Sequence, residues 1–138
     1  YRKARSYMRP KESLYPHDWF AKAQQDLHTV EILVRERGAA EIAGFHLQQA
    51  VEKYLKGYLL SQGWQLQRTH NLEILLNEVV RFEPTLERFR DLCEKTTDLY
   101  TLERYPFFTS LGVTLEDVSR LLTQLRQLIE RIEETVTE

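Results

Sequence analysis

Apolar residues in this chain recur three and four positions apart, the interval that places side chains on one side of a helix. Between about Asp18 and Arg37 the stripe is Phe20, Ala23, Leu27, Val30 and Val34, and Gly38 follows as an expected C-terminal cap. From about Ala40 to Gln62, Leu47, Val51, Tyr54 and Tyr58 define a core face, with Leu55 and Leu59 beside them, and Gly63 closes the segment. A third helix is expected from Thr69 or Asn71, either of which is able to cap it, with Leu72, Leu75, Leu76 and Val79 facing inward. A fourth opens at Pro84 or Thr85, since proline is tolerated in a first turn, and carries Leu86, Phe89, Cys93 and Tyr100 in register.

Residues 101–113 break the pattern, with Pro106 and Gly112 among them. Thr114 then caps a last helix with the strongest apolar stripe in the chain, running from Val118 through Leu121, Leu122, Leu125, Leu128, Ile129 and Ile132 to Val136. Glu116 and Asp117 in its first turn suit the positive end of the helix dipole. No stretch alternates with a period of two, and no internal repeat is present. The 5 glycines and 4 prolines read as punctuation between helices. The expected fold is all-α, an up-and-down antiparallel helical bundle of about five helices.

Composition changes this picture little. A chain of 138 residues has room for one domain, and a hydrophobic fraction of 42% suffices for one core. With 29% charged residues and a net charge of −2, it is neither a disordered chain nor a bulk polyanion binder. The charge is uneven, however. Residues 1–16 carry Arg2, Lys3, Arg5, Arg9 and Lys11 against Glu12 alone. The chain begins with Tyr1 rather than Met, and residues 1–16 are expected to be a basic tail or a non-native remnant ahead of a domain at 17–138. Cys93 is the single cysteine, so no internal disulfide forms and a reducing compartment is expected. No apolar run approaches the ~20 residues of a membrane span. A cytoplasmic location without membrane attachment is the expectation.

Three groups of polar residues are candidates for chemistry. His46, Gln49, Lys53 and Lys56 follow spacings of three, four and three and stack on one side of the second helix, with Glu52 at their edge. A histidine and a glutamine in register with two lysines suit a phosphate or a partner carboxylate. The plain alternative is a solvated face on which Glu52 and Lys56 form a weak surface pair. Next, Arg68 and His70 flank the start of the third helix, where free backbone N–H groups attract anions. There the plain alternative is a cap formed by Thr69 or Asn71. Finally, Asp98 and Arg104 with Tyr105 and Pro106 sit where the fourth helix gives way to the long connection. Loops of that kind often carry function.

Other chemistries have no foothold. No glycine-rich phosphate loop, zinc-spaced Cys/His cluster or nucleophile elbow occurs, and His17, His28, His46 and His70 are scattered. No metal or cofactor is expected.

The segment Phe45-His46-Leu47-Gln48-Gln49-Ala50-Val51-Glu52-Lys53-Tyr54-Leu55-Lys56 resembles the second-helix signature of HEPN domains. Arg68-Thr69-His70-Asn71-Leu72 resembles the family's Thr-His-Asp-Leu helix start, with Asn71 in place of the usual aspartate, and Arg104-Tyr105-Pro106 resembles the motif after its fourth helix. The likeness covers residues 18–136. It implies a bundle that dimerises, and Phe107, Phe108 and Leu111 in the long connection are apolar groups suited to such an interface. It also implies a nucleotidyltransferase partner in a toxin–antitoxin pair, or a metal-independent ribonuclease. Family ribonucleases place an arginine ahead of a histidine with four to six residues between them. In this chain Arg9 lies too far before His17 and Arg68 too close to His70, and His28 and His46 have no such arginine. The resemblance therefore implies binding of a nucleotide or RNA, or docking to a nucleotidyltransferase, ahead of catalysis. The expected site is His46, Gln49, Lys53, Lys56, Arg68, His70, Asp98, Arg104 and Tyr105. A divergent ribonuclease toxin and a purely structural dimeric bundle are the alternatives.

Overall fold

The structure, a computed structural model, describes residues 12–104 and 112–136, the side chains of 100–104 excepted. Five α-helices account for most of it: α1 (Pro16–Arg35), α2 (Ala40–Ser61), α3 (Leu72–Phe82), α4 (Arg90–Arg104) and α5 (Leu115–Val136). Among the described residues there is no strand, as the absence of period-two alternation implies. Among the described residues no helix is long and apolar enough to cross a membrane. The expected interface residues Phe107, Phe108 and Leu111 lie outside the described residues, as does Tyr105.

Helix α2 is the hub, packed against α1, α3, α4 and α5. Centrality demands burial around much of its circumference, and its buried residues include Ala43, Leu47, Val51, Leu55, Tyr58 and Leu59. Helices α1 and α2 form an antiparallel hairpin joined by a short turn. At their crossing the Phe20 ring lies against Gly57, where a Cβ would fall 2.6 Å from a ring carbon. Gly57 and Gly44, both inside α2, are thus not the punctuation that glycine suggests in the sequence. Gly57 gives up helix propensity so that an aromatic ring can seat directly on the helix.

Two helix ends show how local chemistry and packing divide the work. After α2, Gly63 takes the left-handed conformation at φ +83°, and Trp64 N–H returns to Leu59 O at 3.0 Å. After α1 the same pair of bonds forms, Gly38 N–H to Leu33 O and Arg37 N–H to Val34 O, but the left-handed residue is Arg37 at φ 55°. The helix stops one turn-residue earlier than Gly38 implies, and the strain of a non-glycine residue is met by the closing bonds. A further departure comes at Pro84. It opens a 3-10 helix, Pro84–Phe89, that runs directly into α4, rather than opening α4 itself. Three residues per turn align Leu86 with Phe89, and both are buried. α4 continues to Arg104, past the point where its apolar stripe fades.

Candidate functional site

The polar side of α2 is not a wet face. It meets Asp26 of α1 on one flank and the turn before α3 on the other. Asp26 lies three residues after Ala23 and four before Val30, in line with the apolar stripe, so the helix carries its carboxylate inward to 8% exposure. Its Oδ1 accepts from His46 Nδ1 at 2.8 Å and its Oδ2 from Lys53 Nζ at 2.6 Å. Glu52, 4% exposed, forms a second centre. Its Oε2 accepts from Lys56 Nζ at 3.0 Å and from His70 Nδ1 at 2.9 Å, while Oε1 takes Gln48 Nε2 at 3.2 Å. Gln49 Nε2 donates to Gln48 Oε1 at 2.7 Å and extends the chain of bonds.

The Glu52–Lys56 pair decides between the two readings of this face, because Lys56 is only 1% exposed. A buried ion pair carries a desolvation penalty of several kcal/mol per ion and is tolerated only with good geometry and further hydrogen bonds. Here the extra bonds come from His70 and Gln48, and the Lys56 ammonium also lies 5.3 Å from the centre of the Trp19 ring, within range of a cation–π contact. Two carboxylates balance two lysines, so the charge of the cluster is set by its two histidines.

Both histidines are oriented alike. A carboxylate only accepts hydrogen bonds, so each Nδ1 carries the proton. Each Nε2 is then left as the acceptor of a neutral imidazole and has no partner among the described residues. The side chains are 30% exposed at His46 and 72% at His70. Lys53, at 24%, also reaches solvent. A nitrogen base in fixed orientation is suited to accepting or moving a proton, and the ammonium beside it to holding a phosphate.

The start of α3 behaves differently from an open anion site. Asn71 Oδ1 accepts from the backbone N–H of Glu73 at 2.9 Å and of Ile74 at 3.1 Å, and Thr69 Oγ1 accepts from Asn71 N–H at 3.1 Å. The side chain thus takes N–H groups that an anion would use. His70 turns away from the helix axis towards Glu52, and Arg68 stays exposed nearby in the chain.

His46, Gln49, Lys53, Lys56 and His70 are therefore brought together around Asp26 and Glu52. Asp98 is not among them. It lines a separate hollow of about 260 Å³ between α4 and α5, with Lys95, Asp117 and Arg120. Arg104 ends α4, and its side chain lies outside the described residues, as does Tyr105. Sequence reasoning passed over Asp26, Gln48 and Trp19. Asp26 was visible in principle, as a charged residue in register with Ala23 and Val30. Gln48 likewise sits four residues after buried Gly44 and three before buried Val51.

Two further titratable groups are passive. Burial pushes the Cys93 thiol up to about 12, so it stays protonated at neutral pH and is no nucleophile. Burial, with help from Glu133 and Glu31, likewise pushes the Tyr54 hydroxyl up to about 12. Among the described residues no group of His, Cys, Asp and Glu is arranged to hold a metal ion.

A family model for the HEPN domain matches residues 16–135, the span that contains all five helices to within one residue. No curated protein and no solved structure matches the chain. The match takes in the α2 cluster, the turn before α3 and the end of α4, the same three places that carry the resemblance in the sequence, and it supports a nucleotide- or RNA-related role in general: the chain belongs to the HEPN domain family.

Proposed function

We propose that this protein is a nucleotide- or RNA-binding module whose contact surface is His46, Lys53, Arg68 and His70. The observation that carries this reading is the pair of histidines, each fixed through Nδ1 on a buried carboxylate with Nε2 unpartnered among the described residues. Apolar residues in place of Glu52 and Lys56 should retain most of the stability of the bundle. What the network supplies is orientation: two imidazoles and an ammonium held in place before any ligand arrives. Lys53 and Arg68 supply the charge that holds a phosphate. Lys56 and Gln49 serve as positioning residues, since Lys56 has no surface to offer.

Binding of fluorescently labelled single-stranded RNA, followed by anisotropy at fixed salt, tests the surface. Arg68→Ala and His46→Ala should each weaken binding about ten- to hundredfold, the usual worth of a hydrogen bond to a charged group. Arg68 is exposed and should be replaceable without loss of fold. Unchanged affinity in both folded variants would leave the cluster as structure alone. Family membership is what supports a nucleotidyltransferase partner, a toxin–antitoxin setting and a homodimer. Co-purification from native lysate and sedimentation of the pure protein address these.

A second reading, metal-independent RNA cleavage, is favoured by the same Nδ1–carboxylate arrangement, which leaves Nε2 as a base. RNA cleavage in the presence of a chelator, lost in both His46→Ala and His70→Ala, would establish it. Stable RNA under those conditions leaves binding as the function.

A further inference from the structure

Beside the network, the outer face of α1 carries a hollow of about 420 Å³ bounded by Ser13, Trp19, Ala21, Lys22, Gln25 and Lys53. That volume lies within the range of small-ligand sites, which are largely apolar with a few placed polar groups. Its aromatic wall is held in advance. Trp19 Nε1 donates to Ser13 O at 2.8 Å, and Lys56 sits against the ring at 5.3 Å from its centre. A ring already fixed loses little freedom when a second planar group stacks on it.

The polar groups of the hollow complete the pattern. Lys22 has no ion pair or hydrogen bond among the described residues, and Lys53 shares Asp26 with His46. Two carboxylates, Glu12 and Asp18, also line the hollow, and Asp18 accepts from Ser13 Oγ at 2.6 Å. A planar wall, the Lys22 ammonium beside the Asp26-paired Lys53 at one side and an oriented histidine behind them match one chemistry: a nucleobase joined to a phosphate. We propose that this hollow seats a nucleobase against Trp19, with the attached phosphate held by Lys22 and Lys53 on the side where His46 stands. The ligand is a nucleoside phosphate, either free or as one unit of a single-stranded RNA. The proposal rests on the nucleotide- or RNA-binding reading above and assigns the base its place in that site. Stacking on an aromatic side chain is tolerant of base identity, so little discrimination among bases is expected.

Calorimetric titration with AMP, ribose 5-phosphate and adenosine separates the two halves of the ligand, and tri-adenylate separates the two sources. AMP should bind at least about fivefold more tightly than ribose 5-phosphate, the lower range of base stacking. Trp19→Leu should erase that difference while leaving ribose 5-phosphate binding unchanged. Because Trp19 is partly buried, Ala21→Leu gives a second variant that fills the hollow without touching the network, and it should have the same effect. Tighter binding of tri-adenylate than of AMP identifies RNA as the ligand, and equal binding identifies the mononucleotide. Normal AMP affinity in both Trp19→Leu and Ala21→Leu, with loss in Arg68→Ala, would overturn the base seat and leave the binding surface standing. Failure of the wild-type protein to bind both AMP and tri-adenylate would overturn both.

Discussion

Between α4 and α5, Asp91–Lys95 and Asp117–Arg120 pair residues of one helix, four and three positions apart. Asp26 and, through His70, Glu52 instead reach partners on other segments, up to 27 residues away, and both carboxylates are nearly closed to water, Glu52 pairing as well with Lys56 of its own helix. Pairs of the first kind arise wherever opposite charges sit one turn apart, and they contribute at most ~0.5 kcal/mol each. Pairs of the second kind exist only once α1, α2 and the turn before α3 have docked. They carry a desolvation penalty that an exposed pair avoids. The contrast separates the hollow beside Asp98, whose ion pairs are local and partly exposed, from the α1–α2 side, where the carboxylates are buried.

Removing Glu52 should break this contrast most severely. Glu52→Ala strands the Lys56 ammonium in the core, and urea unfolding should show a loss of about 3–5 kcal/mol. Joint replacement by Glu52→Leu and Lys56→Met removes both charges and should recover most of that loss. His70 then has no carboxylate to hold it, and RNA affinity should fall even though the fold is retained. A double variant with full affinity would deny the network its orienting role.

Asp26→Ala should have a smaller effect, about 1–3 kcal/mol, because Lys53 and His46 keep enough exposure to turn towards water. Thermal unfolding together with RNA binding would sharpen the comparison. The expectation is a modest loss of stability with a marked loss of affinity, whereas Lys95→Ala on the other side should change stability by no more than ~0.5 kcal/mol and affinity not at all.

The smallest effect concerns pH at the α4–α5 side. Hydrogen bonding from Thr114, with Arg120 nearby, holds the Asp117 carboxyl below its ordinary value of 3.8, against an opposing contribution from burial. A lowered folded value means that the stabilisation is complete above the unfolded value and disappears as pH falls through the folded one. Melting temperatures of wild type and Thr114→Ala should therefore differ by a constant amount near neutral pH. The difference should narrow only as pH drops below 3.8. A gap that closes near neutrality would place the effect on some other group.

The helices themselves were legible in the sequence because their evidence is local. Periodicity in α1, α2 and α5, the cap at Asn71 and the glycine at Gly63 act within a turn or two of chain, so residue order alone determines them. Membership of the family was legible for the same reason, through His46 to Lys56 and the Thr69–Leu72 helix start. Tertiary structure decided the remainder. It made Gly57 a seat for Phe20, turned the Pro84 segment into a 3-10 helix that aligns Leu86 and Phe89, and sealed Lys56 from water. It also joined Asp26 to His46 and Lys53 across the hairpin, and His70 to Glu52 across the turn. Spacing along one helix reports which residues share a face. Only the neighbour packed on that face determines whether a charge there meets water or a buried partner, and that difference in dielectric separates an ordinary surface pair from a preorganised site.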